Sequence, residues 1–277
     1  MDIEGKKISK EKLLELKEKI KELDEKIGLT VIQVGDDKAS NVYIKSKTNA
    51  ATLVGFNFKH IKLDENIKQE DLLSIIEKEN NDKNVHGIIT QMPIPKHLNS
   101  KLVQNKVDEN KDVDGLTDIN AGKLMHNEDT LVPCTPLGVI KLLNYYNIEI
   151  EGKDVVIIGR SDLVGKPLAA LFLNNNATVT ICHSKTKNIK KYTKNADIIV
   201  VAVGIPKFLT KDMVSENQVI IDIGINKVEG KLIGDADYEN IKEKASYITP
   251  VPGGAGPMTV SMLMENTYKA YQKTKNK

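Results

Sequence analysis

A chain of 277 residues is long enough for about two domains, each with a core of its own. Its 40 basic and 38 acidic residues leave a net charge of only +2, which argues against a nucleic-acid or acidic-membrane partner. Two cysteines, Cys134 and Cys182, are too few for a disulfide framework. No apolar run approaches the roughly 20 residues a membrane helix needs, and no signal-peptide core is seen, so the expected compartment is cytoplasmic.

Residues 9–26 read as an amphipathic helix: Leu13, Leu16, Ile20 and Leu23 form one stripe, and the lysines and glutamates between them a solvated face. Leu29 to Val34 reads as a strand ending at Gly35. A helix comes next, from Ser40, an N-cap residue type, to Val54, with Gly55 as its stop. Phe56 to Leu63 reads as a strand, 68–80 as a helix and Val85 to Thr90 as another apolar strand. Residues 91–120 are loop-rich, with Pro93, Pro95 and Gly115, and Pro136 opens a helix to Tyr146. Next come a strand over Val155 to Ile158 that stops at Gly159, a helix from Val164 and a strand over Ala177 to Cys182. Strands at 197–203 and 218–223 and a closing helix from Pro257 to Gln272 complete the chain.

Strand–helix alternation on this scale implies parallel sheets wrapped in helices, an α/β fold. Two such blocks predict two α/β domains with a cleft between them. Residues 1–119 are expected to form the first and 120–256 the second, a Rossmann-like domain by the βαβ unit within it, with helix 257–273 expected to pack back on the first.

The stretch Asp154 to Thr186 reads as half of a dinucleotide-binding βαβ unit, its helix pointing free N–H groups and a positive dipole end at a pyrophosphate. Gly159 and Gly165 are six apart, so the G-x-G-x-x-G fingerprint is not present, and two glycines in a strand–turn–helix also suit plain α/β packing. The end of the second strand is more informative. An NAD site usually places Asp or Glu there for the ribose hydroxyl. Here stand His183, Ser184 and Lys185, with Arg160 in the first turn, a set that suits a 2′-phosphate and hence NADP.

Ligands in open α/β sheets sit beyond the carboxyl ends of the strands, which directs attention to the residues leaving each strand of the first block. After the first strand, Tyr43 and Lys47 lie four apart on one helical face. A lysine beside an aromatic ring at a strand edge is suited to proton transfer, although 40 basic residues make such pairings common, and Lys45 is a neighbouring alternative. After the third strand, Gln91 enters the proline-stiffened run Met92-Pro93-Ile94-Pro95, placed to hydrogen-bond a ligand, the lysine or the loop itself. Asp112 and Asp114 precede Gly115. A carboxylate there can grip an amino-pyrimidine through two parallel hydrogen bonds or simply make an Asx-turn. Thr249 to Thr259 packs three prolines and three glycines against a helix start, as a flat-ligand wall or a hinge would. No Cys/His cluster has metal-ligand spacing, and no Ser-His-Asp or P-loop signature is present.

Together these stretches resemble one family, the bifunctional methylenetetrahydrofolate dehydrogenase/cyclohydrolases, over essentially the whole chain. The resemblance rests on SNVYIKSK, TQMPIPKHLN, KDVDGLTDINAGKL, PCTPLGVIKLL, GRSDLVGKPLA, CHSKT, DIGIN, GDADY and ITPVPGGAGPMTVSML. Ala255 stands where valine is usual, and Met92 where leucine is; neither changes a proton-transferring group. The resemblance implies oxidation of 5,10-methylenetetrahydrofolate by NADP⁺, then hydrolysis of the methenyl cation to 10-formyltetrahydrofolate. It implies that Lys47 transfers protons in the hydrolysis, Tyr43 stacks on the folate, Gln91 holds Lys47 and Asp114 binds the pterin. Thr90, Met92, Pro252, Gly253, Gly254 and Gly256 would line the folate pocket, while Gly159, Arg160, Ser161, Gly165, Ser184 and Ile225 would hold the cofactor. It also suggests a homodimer formed through the cofactor domain. A dehydrogenase without useful hydrolysis or with a preference for NAD, and a folate- or nucleotide-binding module without turnover, are the alternatives; the intact Tyr43, Lys47, Gln91 and Asp114 set argues against the latter.

Overall fold

Seven consecutive buried residues, Gly28–Val34, make β1 the centre of a parallel sheet, as expected of a strand covered on both faces. Its partners are β2 (Asn57–Leu63), a largely exposed edge strand, and β3 (Gly87–Thr90), in the order β2-β1-β3. This is seen in a computed structural model that describes residues 1–275 of the chain. The sheet's helices are α1 (Gly5–Lys21), α2 (Lys38–Val54) and α3 (Gln69–Asn81). Ile32 and Val34 meet Leu72, Ile76, Val85, Ile88, Leu98, Val103 and Val107 in one core cluster. Helix α2 is capped by Asp37, whose Oδ1 accepts from Ser40 N at 2.7 Å, so the cap lies before Ser40. It stops at Gly55, whose φ of +91° suits a left-handed end.

Two short helices interrupt the stretch read from sequence as loop: α4 (Ser100–Lys106), capped by Asn99, lies inside it, and α5 (Asp118–Met125), capped by Thr117, begins at its end. At seven and eight residues they are too short to show a hydrophobic period. Helix α1 is displaced from its expected 9–26. It begins four residues early, and Leu23 N closes its last turn on Ile20 O before the chain extends into β1.

After α6 (Cys134–Tyr145) come β4 (Asp154–Ile158), α7 (Gly165–Asn174), β5 (Thr178–Cys182), α8 (Ile189–Thr193), β6 (Ile198–Val201) and β7 (Val219–Asp222). A hairpin of β8 (Asn226–Val228) and β9 (Lys231–Ile233) is next, then α9 (Tyr238–Ile241), β10 (Tyr247–Ile248) and α10 (Ala255–Lys275). Five strands form an all-parallel sheet in the order β10-β7-β6-β4-β5. The order reverses between β4 and β6, which makes their carboxyl edge the topological switch point. The β8–β9 hairpin is not legible from sequence. Its two-residue turn, Glu229-Gly230, has positive φ at both positions, and glutamate is not a residue that announces such a turn.

The chain divides into two compact units, Met1–Ser9 with Thr135–Thr259, and Lys10–Cys134 with the stretch from Val260. The boundary therefore falls at 134/135 rather than at the expected 119/120. Hydrogen bonding explains the shift. Asn120 Nδ2 donates to Asp112 Oδ2 at 2.9 Å, Thr130 Oγ1 to Asn120 Oδ1 at 2.6 Å and Lys269 Nζ to Thr130 O at 2.7 Å, which ties α5 and its successor to the Lys10–Cys134 unit. The first residues belong elsewhere because Ile3 N donates to Ile248 O at 2.8 Å and Asp2 bridges Ile248 in parallel. Helix α10 begins at Ala255, not Pro257, which places Gly256 in its first turn. Among the described residues, no helix is long and apolar enough to cross a membrane.

Candidate active site

In the Lys10–Cys134 unit, β1 and β3 end side by side, and each hands the chain to one half of a polar pair. Lys47, half-buried on the third turn of α2, donates from Nζ to Gln91 Oε1 at 3.0 Å. Gln91 leaves β3 held at both ends: its N–H bonds Ile32 O at 2.8 Å, and its Nε2 donates to Met92 O at 2.8 Å. With its amide nitrogen so engaged, its oxygen is aimed at the lysine. Tyr43 lies one helical turn before Lys47 and is 47% exposed, so its ring is open to a ligand. Thr90 is buried at the end of β3, Met92 is half-buried, and the Met92–Pro93 bond is cis.

Asp114 is half-buried on a loop fixed from three sides. Gly115, at φ +68°, leaves no room for a Cβ, which would lie 2.6 Å from Pro133 N. Asn266 on α10 donates from Nδ2 to Val113 O at 2.9 Å and to Val132 O at 2.8 Å. Cys134 Sγ lies 3.3 Å from Val113 O and 3.8 Å from Asp114 Oδ1. Burial, and then the Asp114 charge, push the Cys134 thiol well above its ordinary pKa, while the Lys47 ammonium pulls it back. The thiol thus lies beside the Asp114 carboxylate, and the Lys47 charge bears on it as well. Sequence reasoning does not single out Cys134 or Asn266 as site residues. The only signal is the PCTPLG motif, and Asn266 lies 132 residues beyond the cysteine.

In the Thr135–Thr259 unit, the turn after β4 is tight. Gly159 has φ +132° and no space for a Cβ against the Ala202 carbonyl, and Gly165 packs against the Gly159 carbonyl. The first N–H groups of α7 are not free as expected: Ser161 Oγ accepts from Val164 N at 3.2 Å and from Gly165 N at 3.5 Å. Bonds this long are ones an anionic oxygen can displace, and the helix dipole still favours an anion there. Arg160 is exposed beside this turn. After β5 a second turn is locked by His183 N donating to Thr186 Oγ1 at 2.9 Å and Thr186 N to His183 O at 2.8 Å, with exposed Ser184 at its tip and no carboxylate in 183–187. These residues have the chemistry a phosphorylated dinucleotide calls for: a tight glycine turn, a helix N-terminus, and exposed cationic and hydroxyl groups without a competing carboxylate.

Pro252, Gly253, Gly254 and Gly256 belong to this same unit, not to that of Tyr43, Lys47, Gln91 and Asp114. Gly253 has φ +115°, and Gly254 is packed so closely that a Cβ would lie 2.6 Å from the Thr249 Cβ. Ile225, 45% exposed, sits beneath the first turn of α10: a Cβ on Gly256 would come within 3.3 Å of its Cδ1.

Two family descriptions match the chain: tetrahydrofolate dehydrogenase/cyclohydrolase, catalytic domain, over residues 3–114, and its NAD(P)-binding domain over residues 133–275. The bifunctional protein FolD of Bacillus subtilis is 49% identical over 276 residues, covering 98% of each chain. The crystal structure of FolD from Campylobacter jejuni superposes with a TM-score of 0.97 at 46% identity, covering 99% of both chains. A Trypanosoma brucei methylenetetrahydrofolate dehydrogenase-cyclohydrolase complexed with NADP and an inhibitor gives 0.94 at 34% identity, covering 99% of this chain and 98% of that one.

Proposed function

This chain belongs to the tetrahydrofolate dehydrogenase/cyclohydrolase family, and from that premise we propose how its residues divide the work. The enzyme oxidises 5,10-methylenetetrahydrofolate to the methenyl cation with NADP⁺ and hydrolyses that cation to 10-formyltetrahydrofolate. NADP⁺, when bound, supplies the acceptor for the hydride.

Folate handling is assigned to the Lys10–Cys134 unit. Asp114 accepts from the amino-pyrimidine of the pterin, and Tyr43 stacks against the ring system, with Thr90 and Met92 flanking. In the hydrolytic step the water oxygen bonds to the methenyl carbon and gives up both its protons as the formyl C=O forms. The bond from that carbon to N5 breaks, N5 takes up one proton and the other is released to solvent. Lys47 moves those protons. Gln91 fixes the direction of its Nζ, and the hydrogen bond between them at 3.0 Å is the observation that carries this reading. The cation is already a strong electrophile, so positioning and one well-placed amine are sufficient. Pro252, Gly253, Gly254 and Gly256 contribute a backbone wall for the folate. Gly159, Ser161 and Gly165 hold the pyrophosphate, Arg160 and Ser184 the 2′-phosphate, and Ile225 the nicotinamide end.

The test is an assay of the purified chain with methylenetetrahydrofolate and either NADP⁺ or NAD⁺, following reduced cofactor, methenyl intermediate and formyl product. NADP⁺ reduction with little methenyl accumulation is expected. A chain that binds both ligands without turnover would overturn the assignments. The same reading proposes a cytoplasmic homodimer formed through the Thr135–Thr259 unit, without nucleic-acid or membrane partners. A monomeric mass by light scattering at all concentrations would refute the dimer.

A further inference from the structure

We propose that Asp222 and Asp235 form a reciprocal brace that positions the cofactor-side loops for hydride transfer and serves the dehydrogenase step alone. This rests on the reading that NADP is held at the carboxyl edge of β4, β6 and β7.

Asp222 ends β7, and its carboxylate accepts from three backbone donors: Gly224 N at 2.9 Å, Asp235 N at 2.9 Å and Ala236 N at 2.7 Å. The Asp235 carboxylate accepts from Val203 N at 2.6 Å, Gly204 N at 2.8 Å and Asn226 Nδ2 at 2.8 Å. Each acid also fills a space left by a glycine in the other's loop. A Cβ on Gly224 would fall on the Asp235 carboxyl group, and a Cβ on Gly234 on that of Asp222. Both acids are buried, at 2% and 0% exposure. Two adjacent buried acids are energetically demanding unless their oxygens are hydrogen-bonded. Here all four oxygens accept at least one bond, and that investment in fixing two loops indicates a geometric requirement.

The loops it fixes identify that requirement. Val203 and Gly204 come after β6, which borders the switch point, and Gly224 to Asn226 after β7, the next strand along the same carboxyl edge. The Ala202 carbonyl, one residue before the braced amides, is the surface against which the Gly159 turn packs. Ile225 is exposed between two braced residues, so its side chain is presented by a backbone with little freedom. Tyr43, Lys47, Gln91 and Asp114 are outside this network. Asp222 N donates to Thr249 Oγ1 at 2.7 Å, ahead of the proposed folate wall, whereas the Asp235 carboxylate bonds Val203, Gly204 and Asn226 and so acts on the cofactor side. Both acids are buried and spend their oxygens on the protein's own N–H groups, so both are positioning residues.

Asp235→Asn replaces one acceptor oxygen with an NH₂ that faces N–H donors. Losing hydrogen bonds to a charged group predicts a KM for NADP⁺ raised roughly 10- to 100-fold, with a parallel fall in dehydrogenase kcat. Hydrolysis of added methenyltetrahydrofolate, assayed without NADP⁺, stays within about twofold of the parent at an unchanged folate KM. Asn226→Ala removes one donor from the edge of the brace and should show a smaller loss in the same direction; it decides the matter if Asp235→Asn does not fold. Unchanged NADP⁺ kinetics in both variants, or equal losses of both activities in Asn226→Ala, would overturn the brace. Arg160→Ala separates the two levels: if it leaves NADP⁺ affinity intact, the cofactor placement itself is wrong. If it weakens NADP⁺ while the brace variants do not, only the brace fails.

Discussion

Lys47 and Gln91 are 44 residues apart in the chain and joined by one hydrogen bond of 3.0 Å, the lysine donating and the glutamine oxygen accepting. Because Gln91 Nε2 is committed to Met92 O, rotating the amide would lose two bonds together. Lys47→Met removes the amine while keeping the aliphatic bulk. Hydrolysis of methenyltetrahydrofolate is expected to fall by about 10²- to 10⁴-fold, the range for a general acid–base group. The signal is the loss of methenyl absorbance without NADP⁺, and a variant that still hydrolyses at the parental rate removes Lys47 from the role.

Asp114 is proposed to hold the pterin for both reactions, so its loss should not discriminate between them. Asp114→Asn keeps the shape of the side chain but offers one acceptor where there were two. The folate KM is expected to rise roughly 10- to 100-fold in both assays. A change confined to one reaction would argue against a common folate anchor.

Arg160 beside the Gly159 turn and Ser184 at the tip of the 183–186 turn set the cofactor preference proposed here. Arg160→Ala should weaken NADP⁺ by roughly 10-fold or more, the worth of one hydrogen bond to a charged group, while NAD⁺ changes little. Equal losses for the two cofactors would count against a 2′-phosphate contact.

Much of this arrangement is legible in the sequence because it is local. Leu29 to Val34, Val155 to Ile158 and the glycines that stop them mark buried strands, and Gly159 with Gly165 marks the tight turn into α7. The residue types at Tyr43, Lys47, Gln91 and Asp114 are legible too, although not that Gln91 is clamped by its own neighbour's carbonyl. The features that escape depend on partners distant along the chain. Asn266 braces Val113 across 153 residues, and Asp235 holds Val203 across 32, and neither leaves a period in the sequence. The misplaced boundary at 119/120 has the same origin: Thr130 to Asn120 is one buried hydrogen bond between two polar residues that look like loop.

Cys134 and Cys182 are both buried and free, and burial pushes both thiols up in pKa. The thiolate is the reactive form, so neither should be labelled quickly by a disulfide reagent at pH 8 in the folded enzyme. Unfolding in denaturant should expose two equivalents. Rapid labelling of Cys134 in the native protein would mean that the loop carrying Asp114 opens readily.

Asp222 gives the stability of the enzyme a distinctive dependence on pH. Burial pushes its carboxyl group up to about 6 from an ordinary 3.8, against the pull of the Ala236, Asp235 and Gly224 amides, and the neighbouring Asp235 charge adds to the rise. The folded state therefore holds this proton more tightly than the unfolded chain. Stability from this group falls as pH rises from about 4 to about 6, and at pH 7 the disadvantage is complete, on the order of 3 kcal/mol. Acidification from pH 7 to 5 should accordingly favour the parent over Asp222→Asn, which has no proton to gain, by about 1 kcal/mol. Thermal unfolding of both proteins at pH 7, 6 and 5 measures the difference directly. A gap in Tm that stays constant across that range, or moves in favour of the variant, would show that Asp222 does not titrate there and that its three N–H donors outweigh its burial.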